Sequence, residues 1–359
     1  MAIRHVNLYS QYLSPSRVNC AGSILVIVLW SLCLLSAFAV ILGYQVRQKA
    51  VMAKRLDERA SLRFIAEAGV KKTISELKKW QMEGPQYAAL NGAWSSNPAV
   101  FMNIGVGAGT ANICYDYVDE ESGDQGLRYG LVDEESKINV NTISSENKEA
   151  VLKILRQLFM GLLGYDEARA QELAACIIDW RDSDAESGVF SGGAESNYYK
   201  GLPYPYEAKN AKFDIPEELL LVKGMDENIF SKVRNYVTIY GSGRVNINTA
   251  SKLVLTALGL DENIVKNIIL FRAGEDRVTG TEDDNIFVQA SEIVPKLSEF
   301  AHLSSSELAQ LTDISGKYLG VRSENFFVRC RVKLNNSANV SDIYCILDRN
   351  GKILYWREP

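Results

Sequence analysis

The sequence is poor in the residues on which most catalytic sites depend. It has 2 histidines in 359 residues, His5 and His302, and it lacks the H-E-x-x-H, G-x-S-x-G and phosphate-loop patterns of hydrolytic and nucleotide sites. It also has no run of like charge, and 39 Lys and Arg stand against 44 Asp and Glu, for a net charge of −5. Because phosphate binding needs clustered cations, this balance disfavours nucleic acid as a general partner. We therefore expect a protein that is neither an enzyme nor a nucleic-acid binder.

Cysteine is scarce as well, and none of the 6 cysteines forms a C-x-x-C pair, which argues against a zinc site. Two of them fall in the C-terminal tail, where alternating apolar residues predict strands over 326–334, 340–347 and 352–357. A symmetric hairpin about the first loop places Cys330 opposite Cys345 on the apolar face. In an oxidising compartment this pair can form a disulfide, and two buried free thiols are an equally good interpretation.

One long uncharged segment dominates what is present. Ser23–Tyr44 contains 22 residues without a charge, and as a helix it spans about 30 Å, the thickness of a bilayer core. It is too long for the apolar part of an ordinary secretory signal, and no A-x-A-like cleavage site follows it. The segment therefore predicts a single-pass transmembrane helix.

Two details favour a pilin-like helix over a plain anchor. A polar leader of 22 residues ends in Gly22, and prepilin peptidases cut after a glycine on this side of an apolar run, which would make Ser23 the first mature residue. The helical pattern then continues over residues 45–80, which contain no Pro and 1 Gly and carry an apolar stripe. We predict one N-terminal helix that extends well beyond the membrane.

The charges around the span point to the opposite orientation. Four Lys and Arg residues follow it within residues 45–55, whereas Arg4 and Arg17 precede it. The positive-inside rule alone would leave the C-terminal part in the cytoplasm. A periplasmic location for that part therefore rests only on the resemblance to a known family described below.

An internal repeat lies in the middle of the chain. Residues 137–142, K-I-N-V-N-T, are echoed by residues 244–249, R-V-N-I-N-T. Each copy is followed by an apolar helix, a Leu-Gly hairpin with Asp-Glu, and a second helix that ends in an aromatic-Arg pair. These units resemble helix-hairpin-helix motifs. Carboxylates follow each hairpin glycine and would repel phosphate, so we interpret the units as packing modules; the alternative is a membrane-tethered DNA receptor of the competence type.

Two acidic loops are candidate calcium sites, because gathered carboxylates on a flexible, Gly-rich loop are the ligands that calcium prefers. The first lies between residues 179 and 195, and the second carries a G-T-x-D-D pattern within residues 275–284. For each loop the alternative is a solvated acidic segment without an ion. The candidate ligands are Asp182, Asp184 and Glu195 in the first loop, and Asp276, Asp283 and Asp284 in the second.

Taken in order along residues 20–275, the motifs resemble the type II secretion system protein K family, the largest minor pseudopilins. The similarity lies in the uncharged helix from Ser23, the run I-A-E-A-G-V at 65–70, D-E-E-S-K-I-N-V-N-T at 133–142, I-D-W-R-D-S-D at 178–184 and Y-G-S-G-R-V-N-I-N-T-A at 240–250. Also similar are G-A-E-S-N-Y-Y at 193–199 and E-L-L-L-V-K-G-M at 218–225.

The resemblance implies a fold and a role. The family has a pilin-like helix and β-sheet with a large helical domain, which contains calcium, inserted between strands. Members of the family sit at the tip of the pseudopilus with other minor pseudopilins, above the major pseudopilin. A prepilin peptidase processes them in the inner membrane. Most pilins carry Glu at the fifth mature position, whereas this chain has Ile27, as is typical of protein K. Ser23 departs from the bulky apolar residue that usually comes first.

The predicted fold class is α+β, with a pilin-like helix, an antiparallel β-sheet and an inserted α-helical domain that contains helix-hairpin-helix-like repeats. The C-terminal part is expected in the periplasm. The predicted segments are a prepilin leader 1–22, a transmembrane helix 23–44, a periplasmic helix extension 45–80, the first half of the β part 81–136, the inserted helical domain 137–312 and the C-terminal strands 313–359.

Overall fold

The computed structural model describes residues 21–119, 123, 125–143, 146–182, 192–337 and 339–358. The chain forms two compact units, residues 1–60 and 61–359. The helices are α1 Ala21–Glu83, α2 Pro98–Phe101, α3 Lys148–Leu163, α4 Glu167–Arg181, α5 Ser196–Lys200, α6 Glu227–Val233, α7 Lys252–Ala257, α8 Glu262–Arg272, α9 Ile293–Phe300 and α10 Ser305–Tyr318. The strands are β1 Ile104–Val106, β2 Gly109–Ile113, β3 Tyr115–Val118, β4 Gln125–Arg128, β5 Val132–Asp133, β6 Ile138–Asn139, β7 Val237–Thr238, β8 Val245–Asn246, β9 Leu319–Gly320, β10 Asn325–Leu334, β11 Val340–Asp348 and β12 Ile353–Arg357. Short 3-10 helices cover Glu134–Ser136, Val140–Thr142, Pro216–Leu221 and Ala290–Glu292.

Helix α1 is continuous through the predicted boundary at residue 44, as the sequence pattern indicates. In the first unit its apolar side chains from Ile24 to Leu42 are exposed, and the helix is long and apolar enough to cross a membrane. Ser31 and Ser36 do not interrupt it, because their hydroxyls donate to backbone carbonyls one turn earlier. The exposed surface of this stretch therefore fits a single-pass anchor.

In the second unit the last part of α1 packs on an antiparallel sheet. The strand order is β1-β2-β10-β11-β12, and β5 pairs with another part of β10. Gly69 allows the close approach, because a Cβ there would lie 3.0 Å from the Ala111 Cβ and 3.1 Å from the Cys330 Sγ. The predicted pilin-like helix on an antiparallel sheet is confirmed. Its core contains Leu62, Ile65, Ala66, Val70 and Leu77 from the helix and Ala111, Ile113, Val328, Cys330, Val332, Cys345 and Leu347 from the sheet.

The register of the tail hairpin differs from the predicted one by two residues. Cys330 pairs with Ile343, and Cys345 pairs with Val328, so the prediction that placed Cys330 directly opposite Cys345 is wrong. Both cysteines are buried and free in this structure, and burial raises the pKa of the Cys330 thiol to about 12. The residues thus serve as small apolar groups in the core beneath α1.

A second hydrophobic core belongs to the inserted helical domain. It begins at Ile138, within one residue of the predicted start at 137, and it extends to Leu319 and Val321. The helical domain therefore ends about where β9 ends rather than at residue 312, because α10 continues to Tyr318 and β9 pairs with β8. The predicted β–α–β order of a helical insertion within a strand-containing part is confirmed.

Candidate functional site

The two copies of the repeat form the same structural module. Each begins with a strand of two residues that pairs in parallel with a segment far along the chain: β6 with β7, and β8 with β9. In each copy the side-chain oxygen of the first asparagine accepts a hydrogen bond from the backbone N–H two residues on, at 2.8 Å for Asn139 and 3.0 Å for Asn246. The first asparagine thus turns the chain out of the strand into the following helix.

The second asparagine of each copy binds a distant backbone through two hydrogen bonds. Asn141 accepts from the Phe213 N–H at 2.8 Å and donates to the Phe213 carbonyl at 2.9 Å. Asn248 does the same with Phe287, at 3.0 and 2.9 Å. Because an amide side chain offers both a donor and an acceptor, it replaces a strand neighbour at each of these positions.

The arginine of each aromatic-Arg pair closes its module. Arg181 donates to the Asn141 carbonyl at 3.1 Å, and Arg272 donates to the Ala250 carbonyl at 2.6 Å. In each module a guanidinium group therefore holds the end of the second helix to the turn that precedes the first helix. The sequence repeat therefore corresponds to a repeated set of hydrogen bonds, and each module is a packing unit.

The hairpins explain the acidic residues that follow their glycines. Gly164, Gly224 and Gly259 all adopt positive φ angles, which favour glycine. The aspartate that begins the next helix caps it: the Asp166, Asp226 and Asp261 carboxylates accept from backbone N–H groups of α4, α6 and α8. The helix N-termini that would face phosphate in a DNA-binding hairpin are therefore bound by the protein's own carboxylates.

The second module differs from the first in what its leading asparagine holds. Asn139 donates to the carbonyls of Tyr240 and Gly241 within the helical domain. Asn246 instead donates to Asp133, at 3.0 Å, and to Ser323, at 2.9 Å. These two residues lie where the sheet meets the helical domain, so the second module is tied to the sheet.

Two buried acids, Asp133 and Glu135, form the centre of this junction. Asp133 accepts further hydrogen bonds from the Thr249 and Ser323 hydroxyls at 2.5 and 2.6 Å. Burial raises the pKa of the Asp133 carboxyl, and burial together with the Asp133 charge raises the pKa of Glu135 to about 8. The sequence motif 133–142 contained both residues, and the signal that could have revealed their role is a run of three acids entering an apolar repeat.

The first acidic loop is bounded by buried carboxylates. Asp179, Asp182 and Glu195 are 4%, 6% and 3% exposed, and the Lys148 ammonium lies 2.7 Å from the Asp182 carboxylate. Gly193 packs its backbone directly against the Asp179 carboxylate, where a Cβ would not fit. Of the three predicted ligands, Asp182 and Glu195 thus lie at the two ends of the loop.

Asp184, the third predicted ligand, lies outside the described residues. Among the described residues, no three His, Cys, Asp or Glu side chains are gathered into a group that could hold a metal ion. All residues of the second loop, 275–284, are among those described.

The carboxylates of the second acidic loop bind donors of the loop itself. Asp283 accepts from the backbone N–H groups of Glu275 and Asp276 at 2.7 and 3.0 Å and from the Thr281 hydroxyl at 2.7 Å. These hydrogen bonds, that from Thr281 first, hold the pKa of Asp283 down at about 2. Asp284 accepts from the Gly280 N–H at 2.7 Å. The predicted ligands Asp276, Asp283 and Asp284 therefore share one loop. The carboxylate oxygens of Asp283 and Asp284 already accept hydrogen bonds from donors of that loop.

A cation of the protein also lies against this loop. The Arg128 guanidinium on β4 donates to the Thr279 carbonyl and stacks 3.4 Å from the centre of the Tyr117 ring. The Tyr117 hydroxyl lies 2.5 Å from the Thr279 hydroxyl. The hairpin of β3 and β4 thus fastens the second loop to the β part of the molecule.

The predicted processing residues lie at the start of α1. The helix begins at Ala21, so the backbone at Gly22 and Ser23 is helical. Ile27, at the predicted fifth mature position, is 63% exposed. The apolar side chain there offers no carboxylate to a neighbour's N-terminal amine.

Comparison with known proteins shows what part of the chain resembles a known family. Residues 136–242 match the family model described as type II secretion system (T2SS), protein K. The chain is 26% identical over 219 residues to the type II secretion system protein K of Pectobacterium carotovorum subsp. carotovorum, with 58% of this chain and 62% of the relative covered. It is 32% identical over 156 residues to that of Aeromonas hydrophila, with coverages of 39% and 46%. The chain thus spans about three fifths of the length of the first relative and less than half of the second.

The fold is also found in a solved structure. The crystal structure of the GspK-GspI-GspJ complex from the enterotoxigenic Escherichia coli type 2 secretion system contains a chain that matches with a TM-score of 0.64 at 16% identity, over 86% of this chain and 99% of that chain. This likeness shows a shared fold. Together with the matched segment and the relatives, it confirms the resemblance predicted from the motifs: the chain is similar to type II secretion system protein K.

Proposed function

We propose that this protein is a minor pseudopilin at the tip of a type II secretion pseudopilus, where it helps to assemble the fibre that drives folded proteins across the outer membrane. The observation that carries this proposal is the segment 136–242, matched to the protein K family, inserted in a pilin-like helix-and-sheet frame. The proposed role is structural.

The position at the tip is supported by two features of the chain. The inserted helical domain extends from Ile138 to Val321 and would obstruct a further subunit stacked above it. Ile27 stands where most pilins use a carboxylate to bind the neighbour above. The partners proposed are two smaller minor pseudopilins, of the kind in the solved GspK-GspI-GspJ complex, and the major pseudopilin below.

The anchor belongs to the same proposal. The exposed apolar part of α1 crosses the inner membrane once, and the second unit lies in the periplasm. A prepilin peptidase cuts after Gly22 and leaves the helix in the mature chain, so that the subunit can be extracted from the membrane into the fibre.

We also propose a structural calcium ion at the first acidic loop. Asp182 and Glu195 are buried carboxylates at its ends, which fits the oxygen donor set of calcium, and Asp184 would join them. The ion would neutralise charge that is costly to bury and would hold the loop to the C-terminal end of α4. The second loop has its own hydrogen-bond donors and serves as the internal comparison.

Secretion by cells tests the function. A strain that lacks its own protein K should recover export of a folded type II substrate when it expresses this chain with its cognate minor pseudopilins. The same chain with Gly22→Glu should stay unprocessed and restore nothing, whereas the silent control Gly316→Ala, at an open position on α10, should restore export. Full export by the uncleaved variant would contradict the proposal.

The competing class, a DNA receptor, has a separate test. The relatives named above are secretion-system proteins and give it no support. Titration of a short labelled duplex at low salt should show no saturable binding by the full chain, because its hairpins are capped by aspartates. Saturable binding that weakens steeply with salt would favour the receptor.

A further inference from the structure

Asp133 and Glu135 lie where three parts of the molecule meet. Asp133 ends β5, which pairs with the start of β10. Its carboxylate binds Asn246 and Thr249 of the second module and Ser323 of the segment that returns to the sheet. The two acids are 2% and 4% exposed. A change in the charge of either acid therefore affects the contacts that attach the helical domain to the sheet.

The hydrogen bonds that the Glu135 carboxyl oxygens accept leave this group able to carry a proton. One carboxyl oxygen accepts from the backbone N–H groups of Glu324 and Asn325, both at 3.1 Å. The other accepts from the Asn325 side chain at 2.8 Å. The Asp133 carboxylate, two residues earlier, accepts from the Glu135 backbone N–H at 2.8 Å. Two carboxyl groups buried two residues apart repel each other when both are ionised, and a proton on one of them removes that repulsion.

The donors that face this pair are neutral: amides, hydroxyls and backbone N–H groups. The charged side chains of the surrounding elements point to other partners. Glu134 pairs with Lys137, and Arg244 donates to the carbonyls of Leu319 and Gly316. Arg272 donates to the Ala250 carbonyl, and Arg322 donates to the Gln86 carbonyl. Arg349 donates to the Pro85 carbonyl and interacts electrostatically with Glu324.

The site is also closed on the side of the helical domain. Gly241 has a positive φ angle, and a Cβ there would lie 2.5 Å from the Glu135 carboxyl oxygen. With two carboxyl groups buried two residues apart, the second negative charge is opposed both by lost hydration and by its neighbour. One proton for the pair is the arrangement that the geometry satisfies.

We propose that a single proton shared by Asp133 and Glu135 latches the second repeat module to the pseudopilin sheet, and that this latch is tighter at mildly acidic pH than at alkaline pH. The closed junction keeps the proton, and an opened, hydrated junction releases it. The device is independent of the calcium loop and of the secretion role.

The direction of the pH dependence follows from proton linkage. The pKa of Glu135 is about 8 in the closed junction, against an ordinary value of about 4.3 in an unfolded or opened chain. Below the lower value both states hold the proton, and the latch is at full strength. Between the two values only the closed state holds it, so the opening equilibrium rises about tenfold for each pH unit. Above about pH 8 the effect levels off.

The test compares the full wild-type chain in detergent with Glu135→Gln, which mimics the protonated carboxyl at every pH. Hydrogen exchange, corrected for its intrinsic pH dependence, should show amides of segments 246–249 and 323–326 losing protection between pH 5.5 and 7.5 in the wild type, by about a hundredfold in the opening equilibrium. In Glu135→Gln this dependence should be flat. The control Glu134→Gln should weaken the fold through loss of the Lys137 pair and yet keep the wild-type slope.

A second measurement serves if the variant folds poorly. Difference infrared spectroscopy of the wild type between pH 6 and pH 9 should show the loss of a protonated carboxylic acid band, and the band should be missing from Glu135→Gln. A pH-independent opening in the wild type, an unchanged slope in Glu135→Gln, or the lack of a protonated carboxyl at pH 6 would each overturn the proposal.

Discussion

At the scale of single residues, the chain uses asparagine and aspartate side chains to form hydrogen bonds with backbone groups that would otherwise lack a partner. Asn141 and Asn248 each replace a strand neighbour, and the aspartates after the hairpin glycines cap helices. From the sequence, the spacing of these residues showed that they recur, whereas their partners could not be predicted. Phe213 and Phe287 lie 72 and 39 residues away from the asparagines that bind them, and nothing in the local pattern encodes such distances.

Removal of one such asparagine has a predictable cost. Asn248→Ala strands the Phe287 N–H and carbonyl in a buried site, and each unpaired buried group costs about 1–3 kcal/mol. We expect the free energy of unfolding of the full chain, measured with urea, to fall by at least about 2 kcal/mol. Asn228→Ala, at an exposed position of α6, should change it little; equal losses in the two variants would contradict this assignment.

The two candidate calcium loops also differ at the residue scale. Glu195→Gln removes a buried carboxylate of the first loop, and Asp283→Asn removes an exposed carboxylate of the second. If the first loop alone holds calcium, the wild type and Asp283→Asn should melt at a higher temperature as free calcium rises. The free energy of unfolding should increase by about 2.7 kcal/mol when the free calcium concentration is a hundred times the dissociation constant. Glu195→Gln should lose that response.

Calorimetry with and without a chelator checks this prediction. A melting temperature that does not respond to chelation in the wild type would remove the proposed ion. A response lost in Asp283→Asn and kept in Glu195→Gln would move the ion to the second loop.

At the scale of elements, the long helix and the tail strands were predictable because their apolar periodicities are strong. The register of the tail hairpin was not. A shift of two residues keeps every side chain on its face of the sheet, so the apolar pattern fits both registers equally well. The turn decides between them: the last pair is Lys333 with Val340, and the Ser337 N–H donates to the Leu334 carbonyl at 3.2 Å.

The contact between α1 and the sheet depends on one small residue. Gly69→Leu places a side chain where Ala111 and Cys330 already lie 3.0 and 3.1 Å from the Cβ position, and overpacking of this kind costs about 1–3 kcal/mol. We expect a corresponding fall in the free energy of unfolding, measured with urea. Gly316→Leu on α10, where a Cβ would meet nothing within 4 Å, should be neutral or slightly stabilising. Equal effects would show that the close approach at Gly69 is unimportant.

At the scale of the whole molecule, a pilin-like frame carries a helical insertion built from two similar modules, of which the second is fastened to the sheet. The order of elements could be predicted from sequence. The end of the insertion could not, because the strand that closes the second module, β9, has only two residues and follows α10 directly. The junction acids Asp133 and Glu135 were visible only as part of a motif, since their partners come from three separate parts of the chain.

We propose that this chain completes the tip of a pseudopilus with two other minor pseudopilins, and purified protein can test this assembly. The most direct measurement is the mass, by light scattering after size exclusion, of the full chain purified in detergent together with the two small minor pseudopilins of the same cells. We predict one complex that contains one copy of each of the three proteins. A chain that elutes alone while the other two bind each other would contradict the account.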